Sequence, residues 1–106
     1  MKVTLSRHAK ADLEDIRNYT IENWGSHKWL LYYRRLSHAF EQINKHTVIG
    51  KDRSLLLPGM RSLNCQRHVI FFKRFDVVDN RPVILRIIHQ RRNMPALVYY
   101  EDLEGV

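Results

Sequence analysis

The C-terminal third contains "ILRIIHQRRN", residues 84–93, which sets His89 beside Arg91 and Arg92. An imidazole titrates near neutrality and can move a proton. Neighbouring guanidiniums can grip a phosphate or a carboxylate through paired hydrogen bonds. Arg61 and Arg86 are among the further arginines in the same half of the chain. Strand alternation places Val83, Leu85 and Ile87 on one face with His89, and Ile84, Arg86 and Ile88 on the other. In that phase His89 reads either as a hydrogen-bonded histidine at a strand end or as a proton-transfer group. Arg91 alone shares its face. Arg86, between two isoleucines, either reaches the sheet edge or pairs with a carboxylate.

Other chemistry finds little support. The six histidines, at 8, 27, 38, 46, 68 and 89, show no HxxxH or HExxH spacing, so no metal site is expected. No glycine-rich phosphate loop and no nucleophile elbow are present, and no cofactor is expected. The single cysteine, Cys65, has no partner for an internal disulfide and reads as a small strand residue. Asp12 and Asp15 sit in the first turns of an expected helix, where they suit its positive end.

These side chains need elements to hold them. At 106 residues the chain supports one core, so residues 1–106 are expected to form a single domain. "LSRHAKADLEDIRNYTIENWG" offers Ser6 as an N-cap, then Ala9, Leu13, Ile16, Thr20 and Trp24 at helical spacing, with Gly25 as the stop. Ser26 then caps a second helix carrying Trp29, Tyr33, Leu36, Phe40 and Ile43. So short a link folds the two into an antiparallel hairpin. Residues 46–60 read as a connection, and "MRSLNC", "RHVIFFKRFD" and Val83–His89 as strands of an antiparallel meander. The fold class is α+β: the hairpin packs on a small antiparallel sheet of three to four strands, with a possible short helix after Pro95.

The net charge is +7, which suits an acidic partner or nucleic acid. No acid lies between Asp52 and Asp76, where Arg53, Arg61, Arg67, Lys73 and Arg74 fall, so the positive field belongs to the second half. No stretch is apolar enough to span a bilayer, and a soluble, cytoplasmic protein is expected.

The ordered combination of the "AKADLEDI" helix, the "GMRS" strand start, the "VIFF" central strand and the "RIIHQRRN" finish resembles the ParE branch of the RelE/ParE toxin superfamily. The similarity runs from Leu5 to Asn93. It implies two N-terminal helices on a small antiparallel sheet, and a toxin of a type II toxin–antitoxin module. Such a toxin is neutralised by a cognate ParD-like antitoxin with an acidic, disordered C-terminal segment, in a hetero-oligomer. ParE-type toxins poison DNA gyrase and arrest replication. RelE-type relatives are ribosome-dependent messenger-RNA endoribonucleases, which need basic groups on the first and central strands and a C-terminal tyrosine. Here those positions hold Met60, Ser62 and Val69, Arg91 alone matches, and Tyr99 and Tyr100 are close to the tyrosine position near Leu97 but out of register with it. A binding poison is therefore expected and not an enzyme, with DNA met only indirectly, through gyrase or the antitoxin.

Two residue sets follow. Target contacts are expected at Arg61, Arg86, His89, Arg91 and Arg92. Antitoxin contacts are expected at Trp24, Trp29, Leu31, Tyr32 and Tyr33 along the hairpin, Tyr32 and Leu31 being out of phase with the buried stripe, and at Arg61 and Arg67 on the sheet edge.

Overall fold

A computed structural model describes residues 3–46, 49–75 and 81–91. Strand β1 (Thr4–Leu5) leads into helix α1 (Arg7–Trp24) and helix α2 (Ser26–Asn44). Strands β2 (Lys51–Asp52), β3 (Arg61–Cys65), β4 (His68–Phe75) and β5 (Arg81–His89) follow. They form one five-stranded sheet in the order β1-β5-β4-β3-β2. The meander β3-β4-β5 is antiparallel as expected, but two short strands extend it, and β1 pairs with β5 in parallel. Each is only two residues long, too short for alternation to reveal it.

Both helix ends follow from single residues. Ser6 caps α1: its Oγ accepts from the Ala9 N–H at 3.0 Å and donates to the Leu85 carbonyl at 2.8 Å. Gly25 is the whole link between the helices, with φ 93° and ψ 165°, a backbone that L side chains avoid. Ser26 is thus the first residue of α2 and not its cap, because Gly25 already occupies that place.

The sheet buries both faces. Against the helices pack Cys65, Ile70, Phe72, Ile84 and Ile87, meeting Ala9, Leu36, Ala39, Phe40 and Ile43. On the opposite face Val69, Phe71, Val83, Leu85 and Ile88 are closed over by Leu57 and Met60 from the β2–β3 connection. The chain enters β2 tightly at Gly50, whose φ is 79° and where an added Cβ would stand 2.8 Å from the Ser62 carbonyl.

One irregularity changes the strand phase. Phe71 pairs with Arg86 but Phe72 pairs with Ile84, so Leu85 is an extra residue in β5. Ile84 and Ile87 therefore share the helix side, while Val83, Leu85 and Ile88 share the other. A simple alternation of 83–89 fails at this bulge. Among the described residues no helix is long and apolar enough to cross a membrane. The C-terminal helix expected after Pro95 lies outside the described residues.

Candidate functional site

The sequence set its arginines on one sheet region, and the structure distributes them over three places. Arg61 opens β3, whereas His89 pairs with His68 beyond the far end of that strand. Across β3 the separation is about 13 Å at the usual rise per residue. Arg86 is engaged elsewhere. Its Nε and Nη2 donate to Asp12 at 2.7 and 3.0 Å, and the same carboxylate accepts the Ile87 N–H at 2.9 Å. Asp12 therefore fastens α1 to the β5 bulge and does more than face a helix dipole.

The His89 end is a small polar cluster. The Tyr32 hydroxyl, from α2, shares a hydrogen bond with His68 Nδ1. The His68 and His89 rings meet edge-on with centroids 5.3 Å apart, and His89 Nδ1 accepts the Arg91 N–H at 3.2 Å. Burial, then the neighbouring His89, pushes the His68 pKa down to about 4. Burial likewise pushes the Tyr32 hydroxyl up to about 12. His68 and Tyr32 are both uncharged at neutral pH, and the exposed Arg67 and Arg91 lie within two residues of His68 and His89 in the chain. Sequence reasoning missed His68. It could be found by pairing residues outward from the two-residue turn Gln66–Arg67, which sets Cys65 opposite His68. Arg92 lies outside the described residues, as do Leu97, Tyr99 and Tyr100.

The hairpin also shifts phase at its tip. The buried side of α2 runs through Leu36, Ala39, Phe40 and Ile43, with the half-buried Tyr32 packed against it. Tyr32 thus belongs to the inward face, and Tyr33, expected there, is exposed. Trp24 is 62% exposed and Leu30 56%, and Leu31 and Tyr19 are exposed as well. Trp29 is half-buried and lies against Tyr33 with ring centroids 5.3 Å apart. Tyr32, Leu36, Ala39 and Ile43 step by four, three and four, but Trp29, Tyr33, Leu36, Phe40 and Ile43 step by four, three, four and three, so spacing alone did not separate the two stripes.

Arg61 is anchored locally. Its Nε and Nη2 donate to the Ile49 and Gly50 carbonyls at 2.6 and 3.1 Å. Arg67 is exposed in the β3–β4 turn. Met60, Ser62 and Val69, the positions a nuclease of this superfamily would need basic, are all buried on the face away from the helices. Arg53 closes that region by donating from Nε to Ser62 Oγ at 2.8 Å.

A family model described as "ParE toxin of type II toxin-antitoxin system, parDE" matches residues 3–94. The chain belongs to this ParE toxin family. Toxin ParE1 of Caulobacter vibrioides is 37% identical over 87% of this chain and 92% of its own length. Toxin ParE1 of Mycobacterium tuberculosis is 31% identical over 85% of this chain and 90% of its own length. Among solved structures, one titled "Chromosomal ParDE TA system from P. aeruginosa" superposes with a TM-score of 0.66. It covers 84% of this chain and 95% of its own at 21% identity, and it shares the fold. The ParE family thus has its helical hairpin here on a mixed sheet, with the opposite sheet face sealed by apolar side chains.

Proposed function

We propose that this ParE-family toxin acts by binding and carries out no chemistry of its own. It engages DNA gyrase, traps cleaved DNA and arrests replication, and a cognate ParD-like antitoxin neutralises it. The observation that carries this reading is the sealed face of the sheet. A phosphoryl-transfer site needs donors around the reacting phosphate in an open cleft. Met60 and Ser62 are 0% and 3% exposed, and Val69 is 2% exposed, so those positions supply neither charge nor access. The Tyr32–His68–His89 cluster does not replace them, since its tyrosine and one of its histidines are locked to one another.

Arg91, Arg92 and His89 are the proposed target contacts, with Arg61; Arg86 contributes through its hold on α1. For the antitoxin, the exposed Trp24, Leu31 and Tyr33, with Trp29, offer an apolar surface to an amphipathic helix, while Arg67 and Arg61 attract acidic side chains. Tyr32 supports that surface from beneath. Purified toxin is expected to inhibit gyrase supercoiling and to raise cleaved DNA, with both effects abolished by the antitoxin. Unaffected gyrase at micromolar toxin refutes the reading. Ribosomal A-site cuts in translated messages, mapped by primer extension after induction, would establish the nuclease instead.

A further inference from the structure

We propose that Arg61 and Arg74 form a phosphate-binding site, where α2 ends and β2 begins, that takes a backbone phosphate of nucleic acid directly. Arg61 pairs with Phe72 across the β3–β4 ladder, and Arg74 is two residues further along the same face. Such diagonal neighbours lie about 7–8 Å apart, within reach of long side chains.

Carbonyl and imidazole acceptors fix both guanidiniums in advance. Arg61 holds the Ile49 and Gly50 carbonyls, as above. Arg74 donates from Nη2 to the Ile43 carbonyl at 3.2 Å and from Nε to His46 Nδ1 at 3.0 Å, and lies over the Phe72 ring. None of these acceptors carries a charge. Among the described residues the ion pairs are Lys45–Glu41 and Arg86–Asp12, and neither includes Arg61 or Arg74. Asp52 stands opposite Arg61 in the β2–β3 ladder, but its carboxylate accepts from the Ser54 N–H and Oγ at 2.8 and 2.6 Å. Both Nη1 amino groups are left without an acceptor among the described residues. Burial, and after it the Arg61 charge, lowers the Arg74 pKa.

Holding Ile43, His46, Ile49 and Gly50 to the sheet accounts for two of the donors on each arginine and leaves two neighbouring cations of which one, Arg61, has a carboxylate close by, that of Asp52. His46, accepting through Nδ1, must carry its proton on Nε2 when neutral and so adds a third donor. A carboxylate has two coplanar oxygens and matches one guanidinium fork. Two forks from different strands suit the tetrahedral oxygens of a phosphate. The site is on the helix-facing side of the sheet, opposite Met60 and Ser62 and a strand length from His89, so it owes nothing to nuclease geometry. It adds a direct nucleic-acid contact to those made through gyrase or the antitoxin.

The test uses toxin alone, so it stands apart from the gyrase reading: either can fail without the other. Anisotropy of a short non-specific DNA duplex is followed across salt concentration for wild type, Arg61→Gln and Arg74→Gln. Each substitution is expected to weaken binding several-fold and to lower the slope of log K against log salt by about one, as for loss of one phosphate contact. Because Arg74→Gln also loosens the end of α2, the arginine Nε–H signals of the wild type are titrated in parallel. The Arg61 and Arg74 signals should move with duplex, and with inorganic phosphate at higher concentration. Unchanged slopes in both variants, or signals unmoved by duplex, overturn the proposal. Movement with phosphate but not duplex overturns the nucleic-acid assignment. Movement with an acidic antitoxin peptide alone assigns the arginines to a protein partner and overturns it as well.

Discussion

Replacing Asp12 by alanine tests how α1 is joined to the sheet. Its carboxylate accepts Arg86 Nε, Arg86 Nη2 and the Ile87 N–H at 2.7, 3.0 and 2.9 Å. The side chains of Arg86 and Asp12 are 21% and 13% exposed. Removing one partner of a buried pair costs about 3–5 kcal/mol. Arg86 keeps a fifth of its surface in water, which points to the lower end, about 3 kcal/mol. A helix-dipole role alone is worth about 0.3–1 kcal/mol, so the magnitude separates the two explanations. At about 4 °C per kcal/mol for a domain of this size, the midpoint should fall by about 12 °C. Urea unfolding of Asp12→Ala, Arg86→Met and the double variant measures the coupling, expected at about 2 kcal/mol. A loss below 1 kcal/mol for Asp12→Ala, or additivity in the double variant, refutes the clamp.

The His68 pKa is depressed to about 4 from 6.5, so the unfolded chain binds the extra proton first. Stability is full above pH 6.5 and is lost as pH falls through 4; denaturant midpoints should show this, and His68→Gln should flatten the profile. Trp24→Ala and Tyr33→Ala, at exposed positions, should leave the unfolding free energy within about 0.5 kcal/mol. Calorimetric affinity for the antitoxin should fall at least tenfold, and unchanged affinity would remove the hairpin from the proposed interface. Gly50→Ala meets the Ser62 carbonyl at 2.8 Å at a φ of 79° and should cost more than about 1 kcal/mol by chemical denaturation.

The two helices, the hairpin and three strands were legible because long periodic segments state their buried side repeatedly. Leu36, Phe40 and Ile43 fixed α2, and Ser6 and Gly25 its neighbour's ends. What escaped was set by pairs distant in sequence. β1 exists only because β5 offers an edge to Thr4 and Leu5. The bulge at Leu85 coincides with a carboxylate 75 positions upstream that takes the Ile87 N–H. Alternation could not anticipate either. The same reason explains the site residues: His89, Arg61 and Arg86 were grouped by composition, yet strand register sends His89 to one end and Arg61 to the other, and Asp12 holds the third. Arg74 was noticed only as one cation among several, because its partners are main-chain and imidazole groups that leave no charge pattern.

The parallel seam between β1 and β5 has a kinetic consequence. Ser6 binds the carbonyls of Ile84 and Leu85, and Asp12 binds Arg86, so the start of α1 finds its seat only after β5 is made. Contacts so distant in sequence slow folding, since a long loop must close before any of them form. During synthesis the helices leave the ribosome with their apolar side uncovered and wait for β5. Synthesis of β5 is therefore the step that lets a collapsed chain seat α1 on the sheet. Truncation before residue 89 should leave a product that chaperones and proteases recognise.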